Sequence, residues 1–152
     1  MSHFLFIAAP LRERTSEESA KLQLSHRLWG LCTALIRTNL QAYLNPQSRG
    51  LLYVLKVGLC AEFDIVSPPQ DFSALDEFLK DELQTEARYG FVRIDGIKQW
   101  NWSPHASQSL LLRALHIPDQ AELTRRLTLG MHRLTQEEYE AISKGISEGL
   151  GG

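Results

Sequence analysis

Gly50-Leu51-Leu52-Tyr53-Val54-Leu55-Lys56-Val57-Gly58-Leu59-Cys60-Ala61-Glu62-Phe63-Asp64-Ile65-Val66-Ser67 reads as two strands folded back on each other. Gly50 to Lys56 is nearly continuous in apolar and aromatic residues, Val57-Gly58 supplies the turn, and Leu59 to Ser67 returns. In the return strand Glu62 and Asp64 alternate with Phe63 and Ile65, so one face is buried and the other is wet. Pro68-Pro69 then stops the ladder.

Working outward, Phe4 to Ala8 is a compact apolar run that predicts a buried first strand, ended by Pro10. Thr15 with Glu18 has capping-box spacing and opens a helix with Ala20, Leu24 and Leu28 on one face. The helix runs out at Ser25-His26-Arg27-Leu28-Trp29-Gly30-Leu31. Trp29 thus stands at an element's end, where an aromatic can turn its face to a cavity instead of to the core. Leu31 to Ile36 is apolar again, as a strand or a buried helical turn, and Asn45 to Gly50 is a turn by composition. Ser73 and Asp76 cap a helix with Leu75, Phe78, Leu79 and Leu83 on one face. Tyr89 to Ile94 is a further strand, which Ile97 to Trp102 extends until Ser103-Pro104 breaks it. Trp100 and Trp102 alternate there, so both face one side, as core or as a stack at the barrel mouth. Two or three helices finish the chain, with Asp119/Glu122 and Thr135/Glu138 at cap spacing and Tyr139, Ile142 and Ile146 as the last apolar stripe. Antiparallel strands with helices at the edges predict an α+β fold built on a curled sheet or small barrel. A doubly wound sheet would need regular strand–helix alternation and a glycine-rich first turn, and the chain has neither.

The 152 residues predict one domain over 1–149, with 150–152 as the start of a linker. A hydrophobic fraction of 43% with 22% charged residues is ordinary for a globular protein. The net charge of −2 excludes a uniformly basic protein, so any nucleic-acid contact needs a local patch. Cys32 and Cys60 each sit in an apolar run and read as buried free thiols. The first residues lack a basic n-region, so no signal peptide or membrane span is expected, and a reducing cytoplasm is the expected setting.

Catalytic and metal signatures are weak. His3, His26, His105, His116 and His132 show no ligand spacing with one another or with cysteine, and no metal or cofactor is expected. There is no P-loop or GxGxxG. Glu62 and Asp64 lack the following lysine of a nuclease and read as a solvated strand face. The chain reads as a binding module, not an enzyme.

The order of these motifs resembles the EVE domains of the PUA-like barrel superfamily, relatives of YTH domains. Leu28-Trp29-Gly30 is similar to their hydrophobic-Trp-Gly element after the first helix, and Gly50-Leu51-Leu52-Tyr53-Val54 to their third-strand motif. Ala61 to Ser67 resembles the strand that ends in valine-serine, and Arg88 to Ile94 the Tyr-Pro-hydrophobic-Arg strand. Gly130-Met131-His132-Arg133-Leu134-Thr135 with Glu137 and Glu138 looks like the closing Gly-x-x-Arg-Leu-Thr-x-Glu-Glu element. The chain departs from the pattern at Ser48-Arg49-Gly50, where Gly-Asp is usual, at Gly90, where proline is common, and in the long segment 34–47.

The resemblance implies a PUA-like small curled β-barrel flanked by short helices. It also implies a reader of modified bases in DNA, methylated or hydroxymethylated, that flips the base into an aromatic pocket. Such a module supplies specificity to a modification-dependent restriction endonuclease, with the nuclease in a fused or associated domain. On that reading Trp29 is the first pocket wall and Phe72 the second, with Asp71 beside it as acceptor for a base amino group. Ala8, Ala9 and Pro10 form the floor. Arg12, Arg14, Arg27, Arg125, Arg126 and Arg133 are the candidate contacts to the DNA backbone. A PUA-type RNA-binding domain and a protein-interaction domain are the alternatives.

Overall fold

The computed structural model describes residues 1–11, 13–100 and 103–150, the last two as backbone only. Six strands, β1 (His3–Ala8), β2 (Leu28–Gly30), β3 (Ser48–Val54), β4 (Gly58–Ile65), β5 (Phe91–Gln99) and β6 (Met131–Leu134), form one curled sheet in the order β2-β5-β4-β3-β1-β6. β1 runs parallel to β3, and every other neighbouring pair is antiparallel. The helices are α1 (Ser16–Ser25), α2 (Ala34–Tyr43), α3 (Glu77–Glu82), α4 (Pro104–Ala114), α5 (Gln120–Arg126) and α6 (Gln136–Gly145). The result is a mixed α+β half-barrel, as the element order predicts. Among the described residues no helix is long and apolar enough to cross a membrane.

β1 and the Gly50–Val54 part of β3 are buried on both faces, which explains why their sequences are almost wholly apolar. On the concave side Phe4, Phe6, Leu52, Phe63 and Trp29 pack with Ala20 and Leu24 of α1 and Ile36 and Leu40 of α2. On the other side Leu5, Leu51, Tyr53 and Leu59 pack with α4, α5 and α6 through Leu110, Leu111, Leu123 and Ile142. A third cluster joins Leu28 and Phe91 to Leu75, Leu79, Leu83 and Ala87. Gly50 has a steric reason: a Cβ there would come within 2.6 Å of the Phe63 ring and 2.8 Å of the Phe6 ring.

Several sequence expectations are corrected. The capping box at Thr15 is present, but α1 stops at Ser25. Arg27 then takes φ of 52°, a left-handed turn that no helix continues through, and Leu28 is buried in β2, not on the helix face. The segment at 34–47, long for the family pattern, holds α2, which Thr33 caps through the backbone N–H of Ile36. The strand around Phe91 starts two residues later than expected and leaves Tyr89 exposed. In the closing region, where the sequence predicts only helices, Met131 to Leu134 form β6 and close the sheet on β1. Asp76 caps α3, but Phe78 is 64% exposed and does not belong to the apolar face. Both thiols are free, yet Cys32 is exposed and Cys60 half-buried. Their surroundings still disfavour the thiolate: desolvation pushes Cys32 up and Cys60 to about 12.

Candidate functional site

Trp29 lies in β2 opposite Val92 of β5. Its ring packs 6.1 Å from that of Phe6 and 6.2 Å from that of Phe63, and the residue is 5% exposed. The expected aromatic at an open element end is therefore a core residue. It nevertheless borders a cavity of about 150 Å³. The end of β1 contributes Ile7, Ala8 and Ala9, and α1 contributes Ser19 and Gln23. Gly30, Cys32, Thr33 and Ile36 come from β2 and α2, and residues 127–130 from the approach to β6.

One wall of this cavity is polar and continuously hydrogen-bonded. Arg14 Nη1 donates to Glu86 Oε2 at 2.9 Å and Oε1 at 3.2 Å. Ser19 Oγ donates to Glu86 Oε2 at 3.0 Å, and Gln23 Nε2 donates to Ser19 Oγ at 3.2 Å. Gln23 Oε1 in turn accepts the backbone N–H of Gly30 at 2.7 Å. A buried carboxylate is tolerable only when paired and hydrogen-bonded, and this chain of contacts meets that condition for Glu86. Its far end fixes β2 beside Trp29.

The candidate residues named from the sequence divide. Ala8 and Ala9 border the cavity; Pro10 is exposed and does not. Phe72 and Asp71 do not meet Trp29 there either. Phe72 sits in a 3-10 turn (Phe72–Ala74), half-buried against the cluster of Leu28 and Leu75. The Asp71 carboxylate pairs with Arg37 Nη1 at 2.8 Å. Arg14 is held inward by Glu86 and by Glu82, 3.2 Å away. Arg27 is exposed, 3.2 Å from Asp95. Arg125 and Arg126 both pair with Glu122, and Arg133 lies 4.0 Å over the Tyr43 ring. Arg12 and Trp102 lie outside the described residues. Trp100 borders a different cavity, with Ala20, Leu24 and Cys60, and packs against the α4–α6 cluster.

The sequence reading missed Ser19, Gln23 and Glu86. Ser19 and Gln23 are one helical turn apart, a polar pair beside the apolar Ala20 and Leu24, and that spacing was the available signal. Glu86, in a turn before β5, carries no local signal at all. Among the described residues no three His, Cys, Asp or Glu side chains gather as a metal site.

No protein-family model and no curated protein matches the sequence. Solved structures do match in shape. The DUF55 domain of human thymocyte nuclear protein 1 (THYN1) is 20% identical with a TM-score of 0.60, over 95% of this chain and 98% of that one. Human THYN1 in complex with DNA containing 5-methylcytosine is 19% identical with a TM-score of 0.57, again over 95% and 98%. A hypothetical protein from Leishmania major is 16% identical with a TM-score of 0.64, over 97% of this chain and 96% of that one. At such identities the likeness is one of fold, and the chain is a mixed α+β half-barrel with the EVE/PUA-like fold of the THYN1 domain.

Proposed function

We propose that this chain binds DNA carrying a modified base and takes that base, flipped from the duplex, into the cavity beside Trp29. The observation that carries the reading is the cavity itself: an indole on one side and a hydrogen-bonding wall of Ser19, Gln23 and Glu86 on the other. At about 150 Å³ it is smaller than pockets for drug-sized ligands, roughly 300–1,000 Å³, and suits a single ring. Flipping a base costs a few kcal/mol. Stacking on an aromatic face returns roughly 1–3 kcal/mol, and a buried methyl group adds about 0.8 kcal/mol. The 5-methylcytosine DNA bound by THYN1, which shares the fold, agrees with this reading.

Trp29 is then a single stacking wall, without Phe72 as a second. Arg27, Arg125, Arg126 and Arg133 are the phosphate contacts. The exposed ion pairs of Arg27, Arg125 and Arg126 are worth only about 0–1 kcal/mol, so these three exchange carboxylate for phosphate at little cost, while Arg133 has only the Tyr43 ring to leave. Such a module would give modification specificity to a restriction nuclease carried by another domain or chain.

The test is fluorescence anisotropy with duplexes bearing cytosine, 5-methylcytosine, 5-hydroxymethylcytosine or 6-methyladenine, and with matched RNA, for the wild type and Trp29→Phe. Preference for a modified duplex, weakened by Trp29→Phe, is the expected result. No preference for any modification overturns the reading, and tighter binding of RNA replaces it with the RNA-binding alternative.

A further inference from the structure

Glu86 is the only carboxylate among the described residues that border the cavity. We infer that it selects the class of base: one carrying an exocyclic amino group, as cytosine and adenine derivatives do, and not one presenting a carbonyl at that position. This rests on the base-reading proposal above.

Glu86 is 3% exposed, and its position is fixed from two sides. Its backbone carbonyl is packed so tightly on Gly30 that a Cβ there would lie 2.2 Å away. Its carboxylate accepts twice from Arg14 and once from Ser19. A carboxylate offers about four acceptor positions and no donor, so one position, on Oε1, is left. An amino N–H of a bound base fills it. A carbonyl oxygen would instead set lone pairs against a desolvated carboxylate, which the site cannot relieve.

The side chains joined to Glu86 by hydrogen bonds, directly or through Ser19, offer a carbonyl no substitute. The Gln23 amide is committed at both ends, Oε1 to Gly30 N–H and Nε2 to Ser19, so turning it over would leave the Gly30 N–H unpaired. The Ser19 hydroxyl hydrogen is engaged by Glu86, and the Arg14 guanidinium lies between Glu86 and Glu82.

Thymine and 5-methylcytosine share a ring and a methyl group and differ in carrying carbonyl or amino at position 4, so they isolate this contact. Two duplexes of one sequence, with 5-methylcytosine or thymine opposite the same guanine, are titrated by anisotropy. The wild type is expected to bind the 5-methylcytosine duplex tighter, on the order of ten- to a hundredfold. The mismatched thymine flips more easily, so this bias works against the expected result. In Glu86→Gln, whose amide also carries a donor, the ratio is expected to fall to within about threefold of unity or to invert. Equal wild-type binding of both duplexes, each weakened by Trp29→Phe, overturns the role of Glu86 and leaves base reading standing. Equal binding of cytosine, 5-methylcytosine and 5-hydroxymethylcytosine duplexes, with no preference for 6-methyladenine, overturns both. If thermal melting shows that Glu86→Gln is unfolded, the wild-type comparison alone decides.

Discussion

The side-chain oxygen of Gln23 takes the backbone N–H of Gly30 at 2.7 Å, so a residue of α1 fills a hydrogen-bonding position that edge strand β2 leaves open. This bond adds to the packing that holds Trp29 at its place.

Gln23→Leu removes the acceptor and keeps the bulk. A buried N–H left without a partner costs about 1–3 kcal/mol. For a chain of this size each kcal/mol moves the midpoint by roughly 2–4 °C. A melting temperature lowered by roughly 2–12 °C is expected, with weaker binding of modified DNA. An unchanged midpoint would mean that the Gly30 N–H finds another partner.

Gly30→Ala puts a methyl against backbone, not against a side chain that can move, because the obstructing atom is the Glu86 carbonyl oxygen at 2.2 Å. Overpacking typically costs about 1–3 kcal/mol, and a rigid obstacle places this site at or above the upper end. Urea denaturation should show it. A loss below about 1 kcal/mol would mean that the turn carrying Glu86 yields freely.

The fold was largely legible from residues that report locally. Thr15 and Glu18 mark the start of α1, and the Glu62–Ile65 alternation marks β4 with its wet face. Leu28 and Trp29 misled because an apolar residue four positions after Leu24 continues a helical stripe as readily as it begins a strand. Only the left-handed Arg27 separates the two, and nothing in its side chain announces that conformation. The site was half legible for the same reason. Trp29, Ala8 and Ala9 come from elements read correctly or nearly so. Glu86 reaches the cavity through pairing of β2 with β5, a contact that no spacing along the chain encodes.

Trp29 carries both core and site, so the substitution that tests it matters. Trp29→Ala would open the space between Phe6 and Phe63 at a cost of about 3–5 kcal/mol and confound any binding result. Trp29→Phe keeps an aromatic and is expected to stay folded while losing at least about 1 kcal/mol of modified-base affinity. Phe72→Ala is expected to lower stability but leave the preference for modified DNA unchanged. A loss of that preference in Phe72→Ala with a normal melt would restore Phe72 to the pocket.

Arg14 and Arg27 should behave in opposite ways. Arg14→Ala strands the buried Glu86, and breaking a buried pair costs about 3–5 kcal/mol. Arg27 is exposed, and Arg27→Ala should change stability by less than about 0.5 kcal/mol. In DNA titrations at several salt concentrations, Arg27→Ala is expected to reduce the slope of log K against log salt by about 0.9. The same slope in Arg27→Ala and wild type would remove Arg27 from the phosphate contacts.

His3 gives the stability a pH dependence with a definite sign. The residue is buried in β1, its ring stacked 4.1 Å from that of Tyr139. Burial lowers its pKa; the N-terminal amine and Arg49 lower it further, and Glu140 opposes them. The folded value therefore lies below the unfolded one of about 6.5, so the unfolded chain binds the proton first. The contribution is fully present above pH of about 6.5 and is lost as pH falls toward and through the folded value. His3→Phe keeps a ring against Tyr139 and cannot titrate. Urea midpoints measured at about pH 7.5 and about pH 5.5 should fall further for the wild type than for His3→Phe. An equal fall in both would assign the acid sensitivity to other groups.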